Sequence, residues 1–358
     1  MNIMNKLVRS TLCCVKFLLN AKTLIGKQTY YPEKQRKGKS KIFCEQLAHT
    51  LKYGENNRFY FVYGLDIVGR KDDDYMDHYS FMKLRDGLNM PAPYNYVCLL
   101  RDKELFGIVA SEYGVRTASN LATIRNGMVS KPLDTLLKQY NHLFCKPVDD
   151  YCGNGIFEVS CSDGNYYLDS RLSSYEAVTE YIKSLRDNYI VQPYIEQHKD
   201  ISAIYDKSLN TIRIVTVNPN HSSNPDDIVV LGKLLRLGAN GLNVDNWAKG
   251  GLVVGINDDG ALMKYGYYKP GYGTKTVSHP DSGFIFEGMK IPMYEELIAL
   301  VKYVHSKLNK IHSVGWDVAI TSEGPLFIEG NDNYELGFLQ TCFGGMRKDF
   351  EKYFNKKH

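Results

Sequence analysis

Apolar residues run from Leu7 to Ile25, interrupted by Arg9, Lys16, Asn20 and Lys22. This reads as a basic amphipathic first helix, short of the roughly 18 uninterrupted apolar residues that a bilayer span needs. A Lys/Arg-rich stretch from Lys34 to Lys41 closes the arm, a helical pattern follows, and Arg58-Phe-Tyr-Phe-Val-Tyr63 reads as a strand or a buried segment. From Arg101 the text changes to units of helix, turn and strand. A helix is expected over Lys103 to Tyr113, a short strand over Leu143 to Pro147 entering a glycine-containing loop, and a return strand over Tyr166 to Asp169. Ser173, three residues before Glu176, is a capping-box signature for a helix reaching about Asp187, and strand character resumes at Tyr189 to Pro193. β-branched runs at Thr211 to Val217, Ile228 to Leu235 and Gly251 to Asn257 predict strands, and the stripe Leu297, Val301, Val304, Leu308 predicts an amphipathic helix near 293–310 packed on the core. No internal repeat or low-complexity segment occurs. Residues 1–100 read as an N-terminal lobe, and residues 101–350 as the α+β body.

The most informative local pattern is the segment from Gly315 to Asn331, a hairpin closed by Ser322-Glu323-Gly324 with Gly324 in the left-handed position of a three-residue loop. That register sets Ile320 against Leu326, Val318 against Ile328 and Asp317 directly opposite Glu329, with Asn331 on the same face as Glu329. Opposed carboxylates lie about 4.5–5.5 Å apart at Cβ and repel. A bound cation removes the conflict, and two carboxylates with an amide oxygen form a hard-oxygen set suited to Mg2+ bridging phosphates.

Other candidates are weaker. Lys146-Pro147 at a strand end, followed by Gly153-Asn154-Gly155, could offer a cation and a nest of backbone N–H groups to phosphate oxygens. It is not a Walker A loop; the chain's Gly38-Lys39-Ser40 has Glu33 where that motif needs its first glycine, and no G-x-G-x-x-G occurs. Arg213 and Arg236 sit in strand-like apolar surroundings, where a guanidinium needs an anionic partner. His198, His279 and His312 are too scattered for a metal site or a catalytic triad.

Composition narrows the class. With 358 residues, 44% hydrophobic and 23% charged, the chain can bury a large core. The net charge of +4 conceals an asymmetry: residues 1–58 hold 12 Lys/Arg against 3 Asp/Glu, leaving 32 against 37 for the rest. Only the arm is strongly basic, and nothing indicates a nucleic-acid partner. The first helix either packs against the body or lies on an anionic membrane surface. Eight cysteines without a C-x-x-C pair argue against a zinc ribbon and for reduced thiols, and no secretory cleavage site follows the first helix. A cytoplasmic location is expected, peripheral at the inner face of the membrane if the arm binds there.

In order along the chain these pieces resemble an ATP-grasp enzyme, and more narrowly the ATP-grasp group associated with sugar transfer and surface-polysaccharide gene products. The resemblance covers about residues 40 to 345 and rests on Ser208-Leu-Asn-Thr-Ile-Arg213, His279-Pro-Asp-Ser-Gly283, Gly315-Trp-Asp317 and Ile328-Glu-Gly-Asn331, with Asp102-Lys103 and Lys146-Pro147 matching less specifically. It implies two α+β lobes closing on ATP, about 117–195 as a lid and about 196–350 as the metal-binding and catalytic part. By the same resemblance Lys103 and Lys146 would contact ATP phosphates, and Gly153, Asn154 and Gly155 would form the phosphate loop. Gln192 to Ile195, including Tyr194, would be the hinge presenting its main chain to adenine, with Glu196 or His198 near the ribose. Asp317, Glu329 and Asn331 would hold Mg2+, and Arg213 and Arg236 would face the γ-phosphate or an acyl phosphate. The implied reaction is ATP- and Mg2+-dependent ligation of a carboxylate to an amine through an acyl phosphate, on a sugar, an amino acid or a cell-surface polysaccharide precursor. A kinase acting on a sugar or another hydroxyl and a catalytically silent scaffold are the alternatives. The complete set of metal ligands speaks against the scaffold.

Overall fold

The β-branched runs of the second half form strands because each can bury both faces. The computed structural model describes residues 3–90, 95–148 and 155–354, with side chains from Thr11 onward. Its first sheet comprises β1 (Ala122–Arg125), β2 (Met128–Val129), β3 (His142–Pro147), β4 (Phe157–Ser162), β5 (Asn165–Leu168), β6 (Arg171–Ser173) and β7 (Tyr189–Pro193), in the order β2-β1-β7-β3-β4-β5-β6. The second comprises β8 (Ile212–Val217), β9 (Val229–Leu237), β10 (Leu252–Ile256), β11 (Leu262–Tyr268), β12 (Lys275–Thr276), β13 (Ser313–Thr321) and β14 (Gly324–Asn331), in the order β12-β11-β10-β9-β8-β13-β14. Every pairing within both sheets is antiparallel.

The helices Leu133–Tyr140 and Tyr175–Ser184 cover the first sheet, joining Leu136, Leu137, Val178 and Ile182 to Leu143, Val159 and Val191 in one core. The second sheet is sandwiched. Ile212, Ile214, Val314, Trp316 and Val318 face a core shared with the helix Tyr294–Lys307, whose Leu297, Val301 and Val304 form the expected stripe. Val215 and Val217, of opposite parity, face a second core with Phe59, Tyr60, Val62, Phe81, Tyr334 and Phe350. Period-two alternation thus feeds two cores. Residues 30–81, expected within an N-terminal lobe, contribute to this second core.

Three local expectations differ from the structure. The segment Arg58 to Tyr63 is a series of tight turns, held by Tyr63 N–H to Phe59 O, Gly64 N–H to Phe61 O and Leu65 N–H to Tyr60 O; its aromatic rings are buried but no strand pairs with it. The cap of the helix Tyr175–Ser184 is Ser174, accepting from Ala177 N–H, because the preceding strand β6 extends through Ser173. In the β13–β14 hairpin Thr321 opposes Gly324, Ala319 opposes Leu326 and Val318 opposes Phe327, so the loop has two residues and the extra one is a bulge at Ile328. Asp317 still opposes Glu329.

The first helix, Ile3–Ile25, packs on the helix Lys39–Tyr53 through Phe17 against Phe43, ring centroids 5.5 Å apart. Among the described residues no helix is long and apolar enough to cross a membrane.

Candidate nucleotide and metal site

The two sheets enclose a cavity of about 560 Å³. From the second sheet Arg236 of β9, Asp317 of β13, and Glu329 and Asn331 of β14 line it. From the first come Lys146 of β3 and, just beyond β7, Tyr194 and Ile195; Lys103 from the helix Lys103–Glu112 completes the set.

Strand pairing explains the metal-side cluster. Asp317 pairs with Glu329 on one side and with Arg213 of β8 on the other. Gly315 lets the arginine lie across the sheet: a Cβ there would meet Tyr334 at 2.6 Å and Arg213 Cδ at 3.4 Å. Arg213 grips the Asp317 carboxylate with both arms, Nε to Oδ1 at 2.5 Å and Nη2 to Oδ2 at 2.7 Å. Arg236 Nη1 donates to the same Oδ2 at 2.7 Å, and its Nη2 donates to Asp245 at 3.1 Å. Asp245 in turn accepts from the Thr211 N–H at 3.0 Å and from the Thr211 hydroxyl at 2.5 Å.

These contacts divide the carboxylates. Burial alone would raise Asp317, but the Arg213 and Arg236 guanidiniums outweigh it and hold its carboxyl well below the usual range. Glu329 moves the other way, raised by burial and by the Asp317 charge beside it. Asp245 is raised by burial despite Arg236. Burial lowers Lys146, with the Glu329 charge partly opposing that shift.

Asp317, Glu329 and Asn331 meet at one place, Asn331 Nδ2 lying 3.0 Å from Glu329 Oε1 and 3.4 Å from Asp317 Oδ2. Their chemistry fits a hard cation. Asp317 Oδ2 accepts from two guanidiniums, whereas Oδ1 has Arg213 as its one guanidinium partner; burial and the Asp317 charge raise Glu329, and a cation would relieve both. The Asn331 amide nitrogen donates to both carboxylates, so its oxygen would join a cation's shell only with the amide turned over; the carboxylate oxygens leave room for the waters and phosphate oxygens that Mg2+ retains. Among the described residues no group of three or more His, Cys, Asp or Glu gathers as an all-protein metal cage.

Several expected site residues lie elsewhere. Arg213 is buried behind Asp317 with its guanidinium carbon 5.4 Å from the Phe338 ring centroid, and it does not line the cavity, because its guanidinium is turned onto the Asp317 carboxylate. It orients Asp317 instead of facing the cavity. The Gln192 side chain turns away to donate to Ala118 O at 3.1 Å and Asn120 Oδ1 at 3.0 Å, while its neighbours Pro193, Tyr194 and Ile195 face the cavity. His198 caps the helix Lys199–Ser202, its Nδ1 accepting from Asp200 N–H, and its own N–H donates to Ile320 O. Glu196 is exposed, and neither it nor His198 lines the cavity, since the chain crosses towards β13 directly after β7. Lys103 Nζ lies 3.1 Å from Pro147 O and 3.2 Å from Val148 O, anchoring its helix to the end of β3. Gly153 and Asn154 lie outside the described residues; Gly155 has φ +66° beside Pro147, and Ile156 reaches the cavity.

Sequence reasoning missed Asp245 and Thr211, which fix Arg236, and the aromatic end of the cavity. There His142 stacks on Tyr194 at 4.5 Å and 9°, and its Nε2 lies 3.0 Å from Glu158 Oε2. Period-two alternation along His142–Pro147 puts His142, Phe144 and Lys146 on one face, a signal the sequence did carry.

Two antiparallel sheets closing on a cavity, with opposed carboxylates on one and a strand-end lysine on the other, define an ATP-grasp protein. The chain belongs to the sugar-transfer associated ATP-grasp family, whose model matches residues 88–350. Among solved structures it is similar to the D-alanine–D-alanine ligase from Bacillus anthracis, at 13% identity over 72% of this chain and 63% of that one, TM-score 0.38. The same enzyme complexed with ATP matches at 13% identity over 79% and 72%, TM-score 0.41. The ATP-grasp ligase PsnB complexed with a minimal precursor matches at 11% over 75% and 63%, TM-score 0.40. The chain therefore spans under two thirds of the length of the first ligases it matches. No curated protein matches it.

Proposed function

We propose that this chain is an ATP- and Mg2+-dependent ligase that joins a carboxylate to an amine through an acyl phosphate, its substrate a sugar, an amino acid or a cell-surface polysaccharide precursor. The observation that carries this reading is the commitment of the carboxylates around Arg236. Asp317 is held by two arginines, Asp245 by Thr211 and Arg236, and Glu329 is raised by burial and by the Asp317 charge, which a bound cation would offset. A hydroxyl nucleophile benefits from a base to take its proton. A substrate carboxylate arrives already ionised and needs none.

Mg2+ held by Asp317, Glu329 and Asn331 would neutralise charge on the transferred phosphoryl group. Lys146 and Lys103 supply cations on the opposite wall, and Pro193, Tyr194 and Ile195 line the end suited to a purine. Arg236, fixed between Asp245 and Asp317, keeps further N–H groups for the oxygens of an acyl phosphate and its tetrahedral successor.

The test incubates the protein with Mg2+–ATP, pooled amino acids and uronic acids, and amine acceptors, following ADP first and hydroxamate formed with added hydroxylamine second. Acid-dependent ADP release with matching hydroxamate is expected. ADP release that depends on a carboxyl-free sugar and leaves a phosphorylated sugar would replace the ligase with a kinase.

A further inference from the structure

We infer that the first helix is a docking element for an anionic lipid surface. One of its faces is occupied, Phe17 being fully buried against Phe43 and Ile25 joining the second core. The opposite face is open: Leu12 is 57% exposed, Val15 49%, Leu18 55% and Leu19 80%. Leu12, Val15 and Leu19 follow the i, i+3, i+7 spacing of a single stripe. A stripe of this size left in water on a helix already anchored by its other face calls for a partner.

Charge identifies the partner. Lys16, four residues after Leu12, and Lys22, three after Leu19, are exposed at the edges of the stripe, where long stems can lie along apolar surface and carry their ammonium groups to its rim. Lys27, Lys34, Lys39 and Lys41 are exposed in the segment that follows, and no ion pair holds any of these six among the described residues. The acids nearby are spent, Glu33 on Lys275 and Glu45 on Lys37. An apolar stripe rimmed by unneutralised lysines matches a bilayer interface bearing anionic headgroups, which takes the leucines into its acyl boundary and the lysines among its phosphates. A second copy of the chain is the poorer fit, because a two-fold contact through this face would bring Lys16 and Lys22 of both copies together.

Flotation of the full chain with vesicles tests this independently of any enzymatic activity. Vesicles of phosphatidylcholine with about one third phosphatidylglycerol should carry the protein, and pure phosphatidylcholine should carry about tenfold less. The paired variants Leu12→Ser with Leu19→Ser and Lys16→Glu with Lys22→Glu should each lower the bound fraction about tenfold while leaving the melting temperature unchanged, since all four positions are exposed. Raising NaCl from 0.1 to 0.5 M should release the wild type. Absence of flotation, or flotation that survives the leucine substitutions, overturns the inference. So does a wild-type dimer in light scattering that the leucine substitutions dissociate, which would make the face a self-interface.

Discussion

Asp317 and Glu329 face each other across one hairpin, and replacing each by its amide should have opposite effects on stability. Asp317 is almost fully buried, is the ion-pair partner of the buried Arg213 and shares Arg236 with Asp245. Asp317→Asn removes the charge both guanidiniums were folded around, and breaking a buried pair by taking one partner costs about 3–5 kcal/mol. Arg236 keeps Asp245, which places the cost at about 3 kcal/mol. At roughly 2 °C per kcal/mol for a long chain, the melting temperature should fall by about 6 °C.

Glu329→Gln acts in reverse. A carboxyl raised above its ordinary value of 4.5 favours folding only while it is protonated, and that contribution is lost as pH rises through the folded value. At neutral pH its ionised form costs stability without a cation, and the amide should be neutral or stabilising by up to about 1 kcal/mol. The advantage of Glu329→Gln over wild type should therefore grow as pH rises above 4.5. Asp317, lowered from 3.8, contributes stability that is present above that value and is lost as pH falls through the lower folded value. Scanning calorimetry of the metal-free proteins from pH 2 to 8 measures both. Equal shifts for the two amides, or an Asp317→Asn protein as stable as wild type, would refute the assignment of the arginine pair to Asp317.

The other substitutions probe the cavity wall and the core. Lys146→Met should weaken Mg2+–ATP binding at least tenfold by titration calorimetry without lowering the melting temperature, because the lysine's burial already disfavours its charge. Asp245→Asn should cut ADP formation about tenfold and destabilise by about 1–3 kcal/mol, since it frees one arm of Arg236 and weakens the acceptor for Thr211; a protein with wild-type turnover would show that Arg236 needs no such anchor. His305, lowered to about 4 by burial between the Thr216 hydroxyl and the Ile311 carbonyl, contributes stability that is present above pH 6.5 and lost as pH falls towards 4. His305→Gln should flatten the urea midpoint across that window.

How much of the site could be read beforehand follows from which interactions have a period. Strands β8, β9, β10 and β13 were legible because a strand buried on both faces is a continuous β-branched run, and the opposition of Asp317 and Glu329 survived a mistaken register. The extra residue of the hairpin, expected in the loop beside Gly324, sits as a bulge at Ile328. Both arrangements place one unpaired residue between the turn and the carboxylates, so they coincide at Asp317 and differ everywhere nearer the loop. Arg213 failed for a different reason. Its type suggested a phosphate partner, and alternation does place it on the face it shares with Asp317 and Arg236, which line the cavity, but its guanidinium is taken by the Asp317 carboxylate. Asp245 lies between β9 and β10 where no alternation marks a direction, and only folding reveals that Thr211 and Arg236 both end on it. A strand's alternation tells which way a charge points, and not which charge will meet it. In this site the unseen partners decide the charges: two arginines hold Asp317 ionised, while Glu329, next to it and in no ion pair among the described residues, is raised by burial and by the Asp317 charge.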